Sequence, residues 1–377
     1  MSNGDWTVRA RQDVVYRVTD VPDVLAPGNG ALARAARLEP GASRLVVMDE
    51  NVFAHHGHAV LAYFLGHRVT PHVLRLTGGE SHKTLAAVEK IARAADAARL
   101  ARRDPIVAVG GGVLTDLVGL AASLYRRGTP YVRVPTTLIG LVDAAVGAKT
   151  AVNFQGHKNR LGTYHPATDT LLDRGLLRTL DERHISNGMA EIVKMAVIKD
   201  PTFFDLLEGH TADLVRTRLA GERGRQVMHR AIDGMLEELE PNLWEQELCR
   251  AVDFGHTFSP AIEMVTQPEL LHGEAVSIDI ALSCALAVDR GLLTPADALR
   301  TLALLRAARL PVWHRVCEPG RLWDALAEST RHRGGEQNIP LPNGLGKCVF
   351  AGDLTLPELT RSAELLLRLL DEPKAAV

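Results

Sequence analysis

Glu191, His256 and His272 are residue types suited to a catalytic divalent metal, two imidazoles and a carboxylate with a fourth position left open. Their separations, 65 and then 16 residues, form no local metal motif, and with 15 histidines in the chain spacing alone favours ordinary core or surface histidines. Lys194 shares a helix face with Glu191 at i, i+3. A second chemistry is suggested by Gly110-Gly111-Gly112-Val113-Leu114-Thr115-Asp116, which follows the apolar run Ile106–Val109 and opens a helical pattern. Glycines let a phosphate approach the backbone, and a helix N-terminus offers N–H donors and a positive dipole end. The motif is not the dinucleotide fingerprint GxGxxG, and a plain tight turn is its alternative.

Gly78-Gly79-Glu80-Ser81-His82-Lys83-Thr84 also follows a strand pattern. Here Ser81 is expected to cap the next helix, with Glu80 and Lys83 facing one ligand edge. Asp49, at the end of RLVVM, is placed to accept from a ribose hydroxyl. Taken singly, each reads as a solvated cap or ion pair. Together they sit where a dinucleotide would lie. The stretch from Val134 to His165 then crowds Asp143, Lys149, Asn153, Lys158, Asn159 and Arg160 among glycines and threonines with little amphipathic order. That mixture suits a hydroxylated anionic ligand better than a plain surface loop.

The elements that must hold these groups divide the chain in two. Arg44–Met48, Val73–Leu76, Ile106–Val109, Tyr131–Val134 and Thr170–Leu172 read as strands. They alternate with helical patterns at Gly57–Gly66, Ser81–Leu100 and Val113–Tyr125. Such alternation predicts an α/β domain, a Rossmann-like parallel sheet covered on both faces, over residues 1–175. From there to residue 377 the pattern is helical: Ile185–Ile198, Pro201–Leu207, Gly224–Glu240, Gly273–Asp289, Pro295–Ala308 and Leu356–Leu370, with no convincing strand before Gly346–Phe350. The cleft between the halves is the expected site.

Composition narrows the function classes. The chain has 377 residues and a net charge of −2, which excludes a nucleic-acid footprint and a polybasic membrane patch. Its longest apolar stretch, Ala275–Val288, is broken by Asp279 and too short to span a bilayer. Four scattered cysteines and an N-terminus without an apolar core predict a cytoplasmic protein with thiols. Of 43 basic residues only eight are Lys, so lysine is expected where a compact ammonium is required. Lys83, Lys149, Lys158 and Lys194 all fall in the motifs above.

In chain order, GGGVLTDLVG, RRG, VPTTL, VDAAVGAKTAVN, KNRLG, NGMAEIVK, FGHTF and LHGEAV resemble the sugar phosphate cyclase superfamily, of which 3-dehydroquinate synthase is the best-known member. The resemblance covers most of the chain. It implies a dehydroquinate synthase-like fold with an N-terminal NAD-binding domain and an all-helical C-terminal metal-binding domain, NAD and zinc or cobalt as cofactors, and a homodimer. Matching positions make Glu191, His256 and His272 the metal ligands, and Asp49, Glu80, Lys83, Gly111, Gly112, Asp116, Thr136, Thr137 and Lys149 the NAD contacts. Asp143, Lys149, Lys158, Asn159 and Lys194 become substrate-side groups, with Arg127 reaching the substrate phosphate from the partner subunit.

Three departures point within the family. Dehydroquinate synthases carry Asn where this chain has Asp253, a second His where it has Pro260, and a lysine pair where it has Arg331-His332-Arg333-Gly334-Gly335. Asp253, Ser259-Pro260 and the segment around His332 resemble the 2-epi-5-epi-valiolone synthase branch, which cyclises sedoheptulose 7-phosphate. The implied sequence is transient oxidation by NAD, phosphate elimination, reduction, ring opening and intramolecular aldol closure. The alternatives are 3-dehydroquinate synthase, a 2-epi-valiolone or desmethyl-4-deoxygadusol synthase, and, more remotely, a metal-dependent polyol dehydrogenase.

Overall fold

The computed structural model describes residues 5–266 and 270–371. Eight strands occupy its first half: β1 (Arg17–Asp20), β2 (Ser43–Asp49), β3 (Thr70–Leu76), β4 (Ile106–Gly110), β5 (Tyr131–Pro135), β6 (Lys149–Phe154), β7 (His157–Tyr164) and β8 (Asp169–Leu172). Six form one parallel sheet in the order β1-β8-β5-β4-β2-β3, while β6 and β7 pair as a separate antiparallel hairpin. Helices α1 (Ala31–Ala35), α2 (Glu50–Gly66), α3 (Leu85–Ala97) and α4 (Gly112–Leu124) cover the sheet.

Alternation along the strands explains both coverings. Leu45, Val47, Ile106 and Ala108 pack with Ile91 of α3 and Leu117 of α4 on one face. Val46, Met48, Val107 and Val109 pack with Leu32 of α1 and Phe64 of α2 on the other. Burial on both faces is what makes these strands continuously apolar. The chain steps outward from β2 to β3 but in the opposite direction from β4 to β5. A crevice therefore opens at the carboxyl ends of β2 and β4.

The second half contains α5 (Glu182–Lys199), α6 (Pro201–Glu208), α7 (Thr211–Arg216), α8 (Gly221–Leu239), α9 (Ser259–Thr266), α10 (His272–Asp289), α11 (Pro295–Ala307), α12 (Pro319–His332) and α13 (Leu356–Asp371). Both α5 and α10 are buried along almost their full length, the mark of a helix inside a core rather than on its surface. Asp279, fully buried within α10, accepts the backbone N–H groups of Phe258 (2.5 Å) and Ser259 (2.8 Å) and so fixes the start of α9. The four cysteines are free thiols, and no described helix is long and apolar enough to cross a membrane.

Several expectations need correction. Helix α2 starts at Glu50, not Gly57, because Asp49 caps it by accepting from Asn51 N (2.8 Å) and Val52 N (3.3 Å). Ser81 caps nothing: it lies in a 3-10 turn over Glu80–His82, and Thr84 caps α3 through Ala87 N. The stretch from Val134 to His165 is ordered as a π-helical turn (Gly140–Ala144) followed by the β6–β7 hairpin. The second half is not entirely helical, since β9 (Ile339–Pro342) and β10 (Cys348–Ala351) form an antiparallel pair beginning before Gly346.

Candidate active site

A cavity of about 1140 Å³ lies between the strand ends and the helical half. Asp49, Glu80, Lys83, Gly111, Gly112, Asp116, Thr136, Thr137, Asp143, Lys149, Lys158, Asn159, Lys194, Asp253, His256 and His272 all line it. Arg127 does not; it follows Arg126 in a turn where both residues have positive φ, 51° and 62°. His332 ends α12, and its side chain lies outside the described residues.

On the strand side the site is mostly backbone. Helix α4 starts at Gly111 and Gly112 with no side chain capping its first amides, which leaves donors for a phosphate. Gly78 lies so close to Asp49 that a Cβ there would stand 2.0 Å from Oδ2 of its carboxylate. One oxygen of Asp49 thus caps α2 while the other borders the cleft. A cradle of this kind, which a Cβ would fill, fits a dinucleotide. Lys83 is 3% exposed and bonds Asp116 (2.5 Å) and Asn159 (2.6 Å). Burial opposes its charge, yet Asp116 and Glu80 outweigh burial and raise its pKa. Lys83 therefore ties the hairpin to the sheet, and Asn153 does the same by donating to Glu80 (2.9 Å).

The helix side is built from buried charge. Glu191 sits mid-way along α5, 1% exposed. Its Oε1 lies 3.2 Å from His272 Nε2 and 3.7 Å from His256 Nε2. The three ligand atoms lie within 4.8 Å of one another, and the two measured edges approach those of a tetrahedral zinc site. His256 Nδ1 faces the carbonyl of Phe254 at 3.2 Å, which leaves Nε2 as the nitrogen available to a cation. Glu191 Oε2 accepts no hydrogen bond of sound geometry, although Lys194 Nζ stands 2.5 Å away. An incompletely satisfied buried carboxylate beside two imidazoles fits a divalent cation.

Close packing aims these side chains. The backbone N–H of Gly273, the residue after His272, donates to Asn187 Oδ1 at 2.5 Å. A Cβ on Gly273 would stand 1.9 Å from the Asn187 carbonyl oxygen, so only glycine lets α10 start against α5. In the absence of a metal the imidazoles differ. Burial drives His256 down to about 3. Burial and Lys158 also oppose protonation of His272, but Glu263 and Glu191 prevail and hold it up to about 9. Burial and then Glu191 push Asp143 upward, against Lys194 and His272.

Between the walls, Lys149 extends from the hairpin to Glu245 (2.5 Å), which also pairs with Arg250. Asp253 lies between Arg250 (2.5 Å) and Arg333 (3.5 Å). Burial opposes its ionisation, but Arg250, Arg333 and Lys149 outweigh burial and hold its pKa low. Sequence reasoning missed Glu245, Arg250, Glu263 and Asn187. Glu263 left a signal as a carboxylate among apolar neighbours in HTFSPAIE; Glu245, in a polar loop, left none.

Residues 73–187 match the family described as 3-dehydroquinate synthase N-terminal, and residues 188–331 its C-terminal counterpart. A 2-epi-5-epi-valiolone synthase of Streptomyces hygroscopicus subsp. jinggangensis is 54% identical over 364 residues, 94% of this chain and 87% of that protein. A solved 2-epi-5-epi-valiolone synthase of the same organism, with NAD+ and Zn2+ bound, has a TM-score of 0.93 at 52% identity, covering 96% of this chain and 99% of that one. A 2-deoxy-scyllo-inosose synthase complexed with carbaglucose-6-phosphate, NAD+ and Co2+ has a TM-score of 0.76 at 25% identity, covering 94% and 96%.

Proposed function

We propose that this chain, which belongs to the 3-dehydroquinate synthase family, is a sugar phosphate cyclase that converts sedoheptulose 7-phosphate to 2-epi-5-epi-valiolone and releases phosphate. The observation that carries the reading is one cleft lined by the glycine cradle, by His256 and His272 in front of the buried Glu191, and by Lys149, Lys158 and Lys194. The choice of branch rests on Asp253, Pro260 and the segment around His332, and on the identity of the relatives above.

In this reading residues 1–175 carry NAD, through Asp49, Glu80, Lys83, Gly111, Gly112, Asp116, Thr136, Thr137 and Lys149. Residues 176–377 hold zinc, or cobalt, on Glu191, His256 and His272. When bound, NAD takes and returns a hydride and the metal acidifies the hydroxyl to be oxidised. The chain's own groups do the rest. Lys149 and Lys158, on the hairpin, face the departing phosphate, joined by Arg127 from a second copy in a homodimer. Lys194 holds Glu191 ionised from 2.5 Å, and Asp143, Asn159 and His332 orient hydroxyls. Asp253, kept ionised by two guanidiniums, accepts from a neutral hydroxymethyl group and repels a substrate carboxylate. Holding one substrate through five steps is chiefly a positioning task, which suits a site dense in binding groups. Free thiols on all four cysteines accord with a cytoplasmic location.

Protein supplied with NAD, Zn2+ and sedoheptulose 7-phosphate should release phosphate with no net NADH, and NMR of the product should show the cyclitol. Release only from 3-deoxy-arabino-heptulosonate 7-phosphate would assign 3-dehydroquinate synthase activity instead. Steady NADH build-up with a free polyol would mark a dehydrogenase.

A further inference from the structure

Glu263, on α9, is 3% exposed and directs its Oε2 at two donors. His272 Nδ1 stands 2.9 Å away and Lys158 Nζ 2.6 Å away. The opposite nitrogen of the same imidazole, Nε2, faces Glu191. A metal takes the Nε2 lone pair, so the ring proton must reside on Nδ1, where only an acceptor can face it. Glu263 Oε2 is that acceptor. The 3.0 Å between Lys158 Nζ and His272 Nδ1 is then two donors crowding one carboxylate oxygen rather than a bond between them.

We propose that Glu263 is a positioning residue with two effects: it sets the tautomer and aim of the metal ligand His272, and it holds Lys158 of the β6–β7 hairpin at the edge of the metal site. The inference rests on Glu191, His256 and His272 being the metal site. One carboxylate thereby joins α9, the first residue of α10 and the hairpin. Because α9 is itself fixed to α10 through Asp279, Glu263 has a rigid base from which to orient the ring. Glu263→Gln can keep an oxygen where Oε2 stands, facing both donors, but it removes the negative charge they share and so accepts from each more weakly.

The test measures Zn2+ affinity of the apo full-length protein by competition with a chromogenic chelator, alongside KM and kcat of the reloaded enzyme. Glu263→Gln should weaken Zn2+ binding by about 10- to 100-fold, the usual effect of removing a carboxylate behind a ligating histidine. Glu263→Asp, which keeps the charge, should restore part of that loss. Lys158→Met should raise substrate KM without weakening Zn2+ binding, since it leaves the His272–Glu263 bond in place. Wild-type Zn2+ affinity in Glu263→Gln, or an equal loss in Lys158→Met, overturns the proposal. If the glutamine variant does not fold, the aspartate variant decides: a loss of about threefold or more supports the role, and wild-type affinity overturns it. A failure of the metal reading looks different, because wild type would then bind Zn2+ no tighter than His272→Ala, and both inferences would fall.

Discussion

The strand-side wall of the cleft presents backbone amides, glycine turns and short polar groups, whereas the helix-side wall presents Glu191, Glu263, Lys194 and two histidines gathered from α5, α9, α10 and the loop ahead of α9. The first wall follows from local order, a strand running into a helix. The second assembles residues 81 positions apart and must remove several charges from water to do so. Charges so placed are held by one another, so losing one leaves its partners buried and unpaired. The strand side should accordingly yield by degrees and the helix side all at once.

The largest effect is expected from Glu191→Ala. It should lower phosphate release by about a thousandfold or more, given the several kcal/mol a metal contributes to developing charge, and should remove bound zinc measured by atomic emission. NAD affinity should stay within about threefold of wild type, a difference under 1 kcal/mol. Metal retained at wild-type occupancy would remove the contrast between the walls.

A matched pair of glycine substitutions sharpens it. At Gly273 an added Cβ meets the carbonyl oxygen of Asn187, which cannot move without α5; at Gly78 it meets a rotatable carboxylate tip. Gly273→Ala should displace His272 and cost about a hundredfold in turnover, the scale of a 1 Å misplacement. Gly78→Ala should raise the NAD dissociation constant by only about tenfold, roughly 1.4 kcal/mol, and leave zinc content alone. Equal losses in both variants would show that the strand side is as rigid as the helix side.

The smallest effect concerns Asp253 and depends on pH. Its pKa is lowered in the folded chain, so the unfolded chain binds more protons at this group. Its stabilisation is thus complete above the unfolded value of about 4 and is lost as pH falls through the lowered folded value. Asp253→Asn should depress the thermal midpoint by about 2–4 °C at pH 7, as expected for about 1 kcal/mol. The gap from wild type should close on acidification. A gap that widens toward low pH would mean that the arginines do not stabilise the carboxylate.

Much of the fold was legible. The strands at Arg44, Ile106 and Tyr131 and the helices at Ile185 and Gly273 were found within a few residues, because a parallel sheet and a buried helix both require unbroken apolar runs. The hairpin was not. In β7, HKNRLGTY, most side chains are exposed, so neither face carries an apolar signal. Strand β1 is an edge strand with no fully buried residue, and helix α7 has only six residues, so neither shows a clear period.

By itself the sequence determined the glycine turns at strand ends, the retention of lysine at four motif positions and, through resemblance, which three residues are the candidate metal trio. Those are properties of local order and residue type, which propensity and periodicity register directly. Only the tertiary structure decided that Glu263 stands behind His272, that Glu245 meets Lys149, and that Asp253 lies between two arginines. Such pairings join residues up to 96 positions apart, as Lys149 and Glu245 are. Their energy comes from charges enclosed together in low dielectric, which no spacing along the chain records.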